Sequence, residues 1–203
     1  IVEDYEKTIL AELDLLRESA NTVRLRRNFE KSSLLYVPKI YDDLSSVNVL
    51  VMERVTGLSI DDRKGLERAG VDLKFLAERG IEIFFTQVFR DHFFHADLHP
   101  GNLLIAEDGA IQAIDFGIMG RLDRRTRLYV AEMLLAFLVG DYRRAAEVHF
   151  EAGYVAPSKS LETFTQACRS IGEPIFGRPS SEISIGRLLA QLFQITETFE
   201  MEM

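Results

Sequence analysis

The chain has 203 residues, 47% of them hydrophobic, enough to bury a core as one domain or as one lobe with part of another. Its 24 basic and 32 acidic residues leave a formal charge of -8, which argues against a general nucleic-acid binder, since that function needs Lys and Arg to displace phosphate counterions. Cys168 is the single cysteine, so no internal disulfide forms, and the longest apolar run, residues 129–139, is short for a membrane-spanning helix and carries Glu132.

In chain order, residues 4–28 carry Ile9, Leu13, Leu16, Ala20 and Val23 at intervals of three and four, which predicts a long helix. Residues 35–41 and 47–55 are rich in Val, Ile, Leu and Tyr around a turn-like 42–46, predicting two antiparallel strands, the second ended by Gly57. A polar stretch over residues 59–69 leads into residues 73–91, where Leu76, Ile83, Phe84 and Val88 predict a long buried helix. Residues 103–105 and 111–114 flank Asp108-Gly109, a hairpin signal. Helical patterns follow over residues 124–139, 141–152, 158–172 and 182–199, punctuated by Pro157, Pro174 and Pro179. The sequence opens on Ile1 with no initiator Met and stops at Met203 inside a helical pattern, so a segment cut at both ends is expected.

The chemistry concentrates around the hairpin. His95-Ala-Asp97-Leu-His99-Pro-Gly-Asn102 precedes it and Asp115-Phe116-Gly117 follows it. Phosphoryl transfer needs a carboxylate near the acceptor hydroxyl and side chains that hold magnesium against the phosphates. Asp97 and Asn102 stand five apart, the spacing of a kinase catalytic loop, and Asp115 opens an Asp-Phe-Gly after an apolar strand. Asp97 is therefore expected to orient or deprotonate the nucleophile, and Asn102 and Asp115 to ligate Mg²⁺. His95 is expected to brace the loop. His99 stands where many protein kinases place a lysine, so a cationic role there depends on its protonation, and this departure argues against ordinary protein phosphorylation. His92, His95, Asp97 and His99 also offer transition-metal ligands, but that reading leaves Pro100-Gly101-Asn102 and Asp115-Phe116-Gly117 unexplained.

On these residues the chain resembles the UbiB family of atypical kinases, related to the mitochondrial ADCK proteins: Phe94-His-Ala-Asp-Leu-His-Pro-Gly-Asn102 looks like that family's signature, and the likeness spans nearly the whole chain. Glu12-Leu13-Asp14 resembles the family's Glu-x-Asp element, which implies a regulatory role for Glu12 and Asp14. Glu18 falls where the kinase helix carries the glutamate that pairs with a strand lysine on the nucleotide side. Asp14 and Glu18 are four apart, and like charges so placed cost about 0.2–0.5 kcal/mol unless a cation lies between them; an acidic face relieved by Arg17 and Arg24 is the plainer alternative. The family's Lys-x-Gly-Gln segment and Ala-rich loop would lie upstream of Ile1. The segment is therefore expected to bind Mg-ATP weakly and turn over little by itself.

Residues 51–55 have the character of the segment linking kinase lobes, so the backbone at Glu53 and Val55 is expected to meet the adenine, although a core strand accounts for the same pattern. Only six residues separate Gly117 from Arg124, little room for a peptide-docking activation segment. Arg121, Arg124, Arg125 and Arg127 read as exposed arginines at a helix start capped by Asp123, and Phe84, Phe85, Phe89, Phe93 and Phe94 as core.

The expectation is an α+β, protein-kinase-like fold: an incomplete small lobe over residues 1–57 and a mainly helical large lobe over 58–203. The resemblance implies an atypical kinase or ATPase using ATP and Mg²⁺ in support of ubiquinone biosynthesis. It also implies quinone-biosynthesis enzymes and lipid precursors as partners, with peripheral placement on the cytoplasmic side of a bacterial inner membrane or in a mitochondrial counterpart. The alternatives are a small-molecule kinase of the aminoglycoside or choline type, which Glu12-Leu13-Asp14 weighs against, and a regulatory pseudokinase, which the three intact catalytic and metal side chains weigh against.

Overall fold

A computed structural model describes residues 14–175 and 185–201; the expectations placed on Ile9, Glu12, Leu13 and Pro179 lie outside the described residues. The chain divides into two compact units, Ile1–Leu122 and Asp123–Met203.

In the first unit, helix α1 (Leu15–Phe29) begins at Asp14, whose carboxylate accepts from Leu16 N–H at 3.1 Å. Asp14 is an extended cap, so the described helix starts after it and does not run through it, as the periodicity over residues 4–28 had suggested. Leu25 and Phe29 face the core, each worth about 1.5–3 kcal/mol of burial. Strand β1 is only Leu35–Tyr36, and the two long antiparallel strands predicted over residues 35–55 are reduced to isolated antiparallel bridges, Ile40 with Met52 and Ser46 with Val49. Pro38 has no N–H to give a ladder, Asp42–Leu44 winds into a 3₁₀ turn, and Val47 and Val49 are about half exposed, so nothing holds a flat ribbon there.

Strand β2 (Leu58–Ser59) is followed by a short helix α2 (Arg63–Arg68), which Asp62 caps and the polar composition concealed. Helix α3 (Leu73–Phe85) passes into a π-helical turn, Thr86–Asp91. Leu76, Ile83 and Val88 are buried as expected, whereas Phe84, on the edge of the same stripe, and Phe85, off it, are exposed. Strands β3 (Phe94–His95), β4 (Leu103–Ile105), β5 (Ile111–Ala113) and β6 (Met119–Gly120) complete the unit. One sheet has the order β1-β5-β4-β2, with β1 parallel to β5 and the other pairs antiparallel; β3 and β6 form a separate antiparallel pair. The hairpin forms where expected, with Leu103 opposite Ala113 and Gly109 at φ 81° in its turn.

The second unit is helical: α4 (Arg124–Leu138), α5 (Tyr142–Ala152), α6 (Leu161–Gly172) and α7 (Ile185–Thr198). Asp123, Asp141 and Ser160 cap the first three, and Gly153 closes α5 at φ 81°. Tyr142, Ala146, Val155, Phe164, Cys168 and Phe199 form its core.

Candidate active site

The π turn ends at His92, whose left-handed backbone, φ 56°, swings the chain into β3. There Phe94 pairs with Gly120 and His95 with Met119, so the segments before Asp97 and after Gly117 are held as one ribbon. Gly120 leaves room for the Phe94 ring, which a Cβ there would overlap and would have to displace. Buried His95 is fully committed: Nε2 lies 2.6 Å from the Asp115 carbonyl, Nδ1 accepts from Asp97 N–H at 3.2 Å, and its backbone N–H donates to Gln87 Oε1 at 2.8 Å. These partners require Nε2 to carry the proton, and they make His95 the brace of the loop.

Beyond His95 the loop folds on itself. His99 N–H donates to the Asp97 carbonyl at 2.8 Å, Asn102 N–H to the His99 carbonyl at 2.9 Å, and Gly101 N–H to His99 Nδ1 at 3.0 Å. The Asp97 and His99 side chains are left exposed. The hairpin then carries the chain out and back, so that Ile114 N–H donates to the Asn102 carbonyl at 3.1 Å and Asn102 Nδ2 to Asp115 Oδ2 at 3.2 Å. Asp115 Oδ1 accepts from Gly117 N–H at 3.0 Å. Asp115 is exposed while Phe116, next in sequence, is wholly buried and anchors it.

This donor set suits magnesium. Asn102 and Asp115 present hard oxygen ligands from two side chains, and Mg²⁺ commonly takes one or two protein ligands and keeps waters and phosphate oxygens for the rest. No cluster of three or more His, Cys, Asp or Glu able to hold a metal occurs among the described residues, and both nitrogens of His95 are occupied, so the histidines do not gather as a transition-metal site.

Helix α1 grips the Asp-Phe-Gly from behind. Glu18 Oε1 accepts from Phe116 N–H at 3.3 Å, and Asn21 Nδ2 donates to the Phe116 carbonyl at 3.0 Å. Burial pushes the Glu18 carboxyl above its ordinary range, the Phe116 N–H pulls it back, and the nearby Asp115 charge pushes it up again. Glu53 lies in a different cluster. Its carboxylate accepts from Tyr36 O–H at 2.7 Å and Lys39 N–H at 3.0 Å, with Arg26 Nη1 at 3.8 Å. A cleft of about 460 Å³ runs past Glu53 and Val55, its far wall the hairpin tip at Ala106, Asp108 and Ala110, the end of the hairpin away from Asn102 and Asp115. Arg121 lies with its guanidinium 5.5 Å from the Phe93 ring centroid.

Asn21 and Gln87 were missed by sequence reasoning. Asn21 stands three residues after Glu18, on the same helix face, and Gln87 is a polar residue inside an apolar stripe, so each carried a signal.

A family model described as the ABC1 atypical kinase-like domain matches residues 1–149, and one described as the UbiB helical domain matches residues 168–203. Over its whole length the chain is 50% identical to proteins called probable protein kinase UbiB from Enterobacter sp. (strain 638) and from Cronobacter sakazakii (strain ATCC BAA-894), and it spans 38% of the length of each. A solved structure of Rv3197 in complex with erythromycin, from Mycobacterium tuberculosis, aligns with a TM-score of 0.66 at 19% identity, covering 96% of this chain and 56% of that one; the likeness is one of fold.

Proposed function

We infer that this chain, which belongs to the ABC1 atypical kinase-like family, forms the catalytic-loop and magnesium-holding part of an atypical kinase or ATPase that uses Mg-ATP in support of ubiquinone biosynthesis. The observation that carries this reading is the pairing of Asn102 with Asp115 across the hairpin, with the Asp97 carboxylate exposed on the loop before it. Asn102 Oδ1 and the Asp115 carboxylate would hold Mg²⁺, and Asp97 would orient the acceptor hydroxyl or water and take its proton. Bound Mg²⁺ would neutralise charge on the phosphates. His99 Nδ1 accepts the Gly101 N–H, so the neutral ring would offer Nε2–H, a hydrogen bond in place of the lysine charge of many protein kinases. His95 and Phe116 keep these groups in place.

The resemblance to the UbiB family carries the ubiquinone part of this reading, and we propose with it quinone-biosynthesis enzymes and lipid precursors as partners at the cytoplasmic face of a bacterial inner membrane. No helix among the described residues is long and apolar enough to cross a membrane. The test is Asp115→Asn in the protein as cells make it. The expected result is loss of magnesium-dependent ATP hydrolysis together with a fall in cellular ubiquinone. Unchanged ubiquinone with ATP hydrolysis abolished would overturn the link between the chemistry and the pathway, and unchanged hydrolysis would overturn the chemistry.

A further inference from the structure

The helical unit holds a cavity of about 350 Å³ that the phosphotransfer reading does not use. Phe137, Phe164, Ile171, Leu192, Ile195 and Met201 make its wall overwhelmingly apolar. Among the described residues three polar side chains also line it, and two are spent. Thr196 donates its hydroxyl to the Phe193 carbonyl at 2.8 Å, and burial pushes the Cys168 thiol up to about 12, so it stays a protonated, weak hydrogen-bonding group.

His149 is the third. Its Nδ1 lies 2.7 Å from the Ala145 carbonyl, which can only accept, so Nδ1 carries the proton and Nε2 keeps a bare lone pair. No described residue hydrogen-bonds to that nitrogen. The ring is fixed edge-on against Phe164, with centroids 5.3 Å apart, and against Tyr154 at 6.4 Å, and burial pushes its pKa down, which keeps it neutral.

We propose that this cavity is a binding site for a small, mostly apolar molecule that presents one hydroxyl donor to His149 Nε2. Cavities of this volume with an apolar wall and a single orienting polar group are characteristic of small-molecule sites. Water is a poor occupant, since an ordered water in such a site needs two to four polar partners and the described side chains of the wall offer one free acceptor. An ammonium group would be desolvated without a counter-charge, and a carboxylate would meet a lone pair; a hydroxyl satisfies the imidazole at no charge cost. All the described lining residues belong to the second unit, so the site stands or falls separately from Asp97, Asn102 and Asp115.

The test titrates the full chain with 2-naphthol and with naphthalene, two probes of nearly equal size that differ in one hydroxyl, by calorimetry. The expected result is saturable 2-naphthol binding about tenfold tighter than naphthalene, the worth of one hydrogen bond. His149→Phe should erase that preference while naphthalene affinity holds, and Cys168→Leu, which fills part of the cavity, should weaken both. Should either variant fail to fold, the imidazole ¹⁵N spectrum of the unmodified chain decides: 2-naphthol should shift the His149 Nε2 resonance and naphthalene should not. No saturable binding, equal affinity for the two probes, a preference that survives His149→Phe, or an unmoved Nε2 resonance would each overturn the proposal.

Discussion

Asn102 donates its side-chain amide to Asp115 Oδ2 at 3.2 Å, joining two residues thirteen apart in sequence through the ends of a single hairpin. The same hairpin register that packs Ile105 against Ile111 sets this distance, so the core and the putting-together of the site are one event. Mn²⁺, which accepts the same oxygen ligands as Mg²⁺, reports on the pair. Asp115→Asn is expected to weaken Mn²⁺ binding to the chain by about tenfold or more, and Asn102→Ala by several-fold, read from water-proton relaxation. Circular dichroism should be unchanged, and equal Mn²⁺ affinity in Asp115→Asn would remove the pair from the metal site.

Glu18 presents the opposite situation, a carboxylate whose surroundings disfavour its charge. Burial and then Asp115 raise its pKa above 4.5, against the pull of Phe116 N–H. A raised folded-state value means that the stability linked to the protonated form is fully present below about 4.5 and is lost as pH rises through the folded value. Gln keeps an acceptor for Phe116 N–H and never ionises. Glu18→Gln is therefore expected to raise the melting temperature at pH 7 by about 1–2 °C, with the gain vanishing towards pH 4. A lower melting temperature at pH 7 would show that the Phe116 bond needs the charge.

The meeting of Asn102 with Asp115 was legible in the sequence because its parts are local and ordered: Asn102 by its spacing from Asp97, Asp115 by the strand before it, the hairpin by Asp108-Gly109. Capping residues were legible too, as at Asp123. The rest depends on contacts between segments far apart in the chain. Asn21 meets Phe116 across 95 positions, and no periodicity announces that. The region of residues 35–55 misled for a physical reason: β-branched residues suggest strands, but a proline and a 3₁₀ turn left β1 to pair with the distant β5 instead. Phe84 shares the apolar stripe of Leu76, Ile83 and Val88, and Phe85 stands among the aromatics expected in the core, yet both are exposed, because which part of an apolar stripe is covered depends on segments packed from elsewhere in the chain.

Gly57 sits where the segment of residues 51–55 meets the hairpin, and it is there for space. A Cβ would lie 2.5 Å from the Ile105 carbonyl oxygen and 2.9 Å from its carbon, both backbone atoms of a central strand that cannot swing aside. Gly57→Ala is expected to cost about 1–3 kcal/mol in urea unfolding. Gly80, inside α3 with nothing within 4 Å of its would-be Cβ, supplies the control: Gly80→Ala should stabilise by about 0.5–1 kcal/mol. If both substitutions shifted the midpoint in the same direction, close approach would not be what selects glycine at position 57.

The backbone at Glu53 is expected on the nucleotide side by its place in the chain, while its side chain is tied to Lys39 N–H, the Tyr36 hydroxyl and Arg26. The Lys39 N–H is the main reason its carboxyl lies below the ordinary 4.5, and the Tyr36 hydroxyl adds to it. A lowered folded-state value contributes stability that is present above about 4.5 and is lost as pH falls through the folded value. Glu53→Gln keeps the shape but not the charge. The variant should therefore melt below the parent at pH 7 and match it near pH 3. Because the leading partner is a backbone N–H and not a mobile cation, about 0.5 M salt should leave most of the difference in place, whereas a difference carried by Arg26 would be screened away. Since the side chain serves the Tyr36 and Lys39 segment, nucleotide affinity in Glu53→Gln should stay within about twofold of the parent by calorimetry; a larger loss would mean that the carboxylate itself, and not the backbone beside it, meets the ligand.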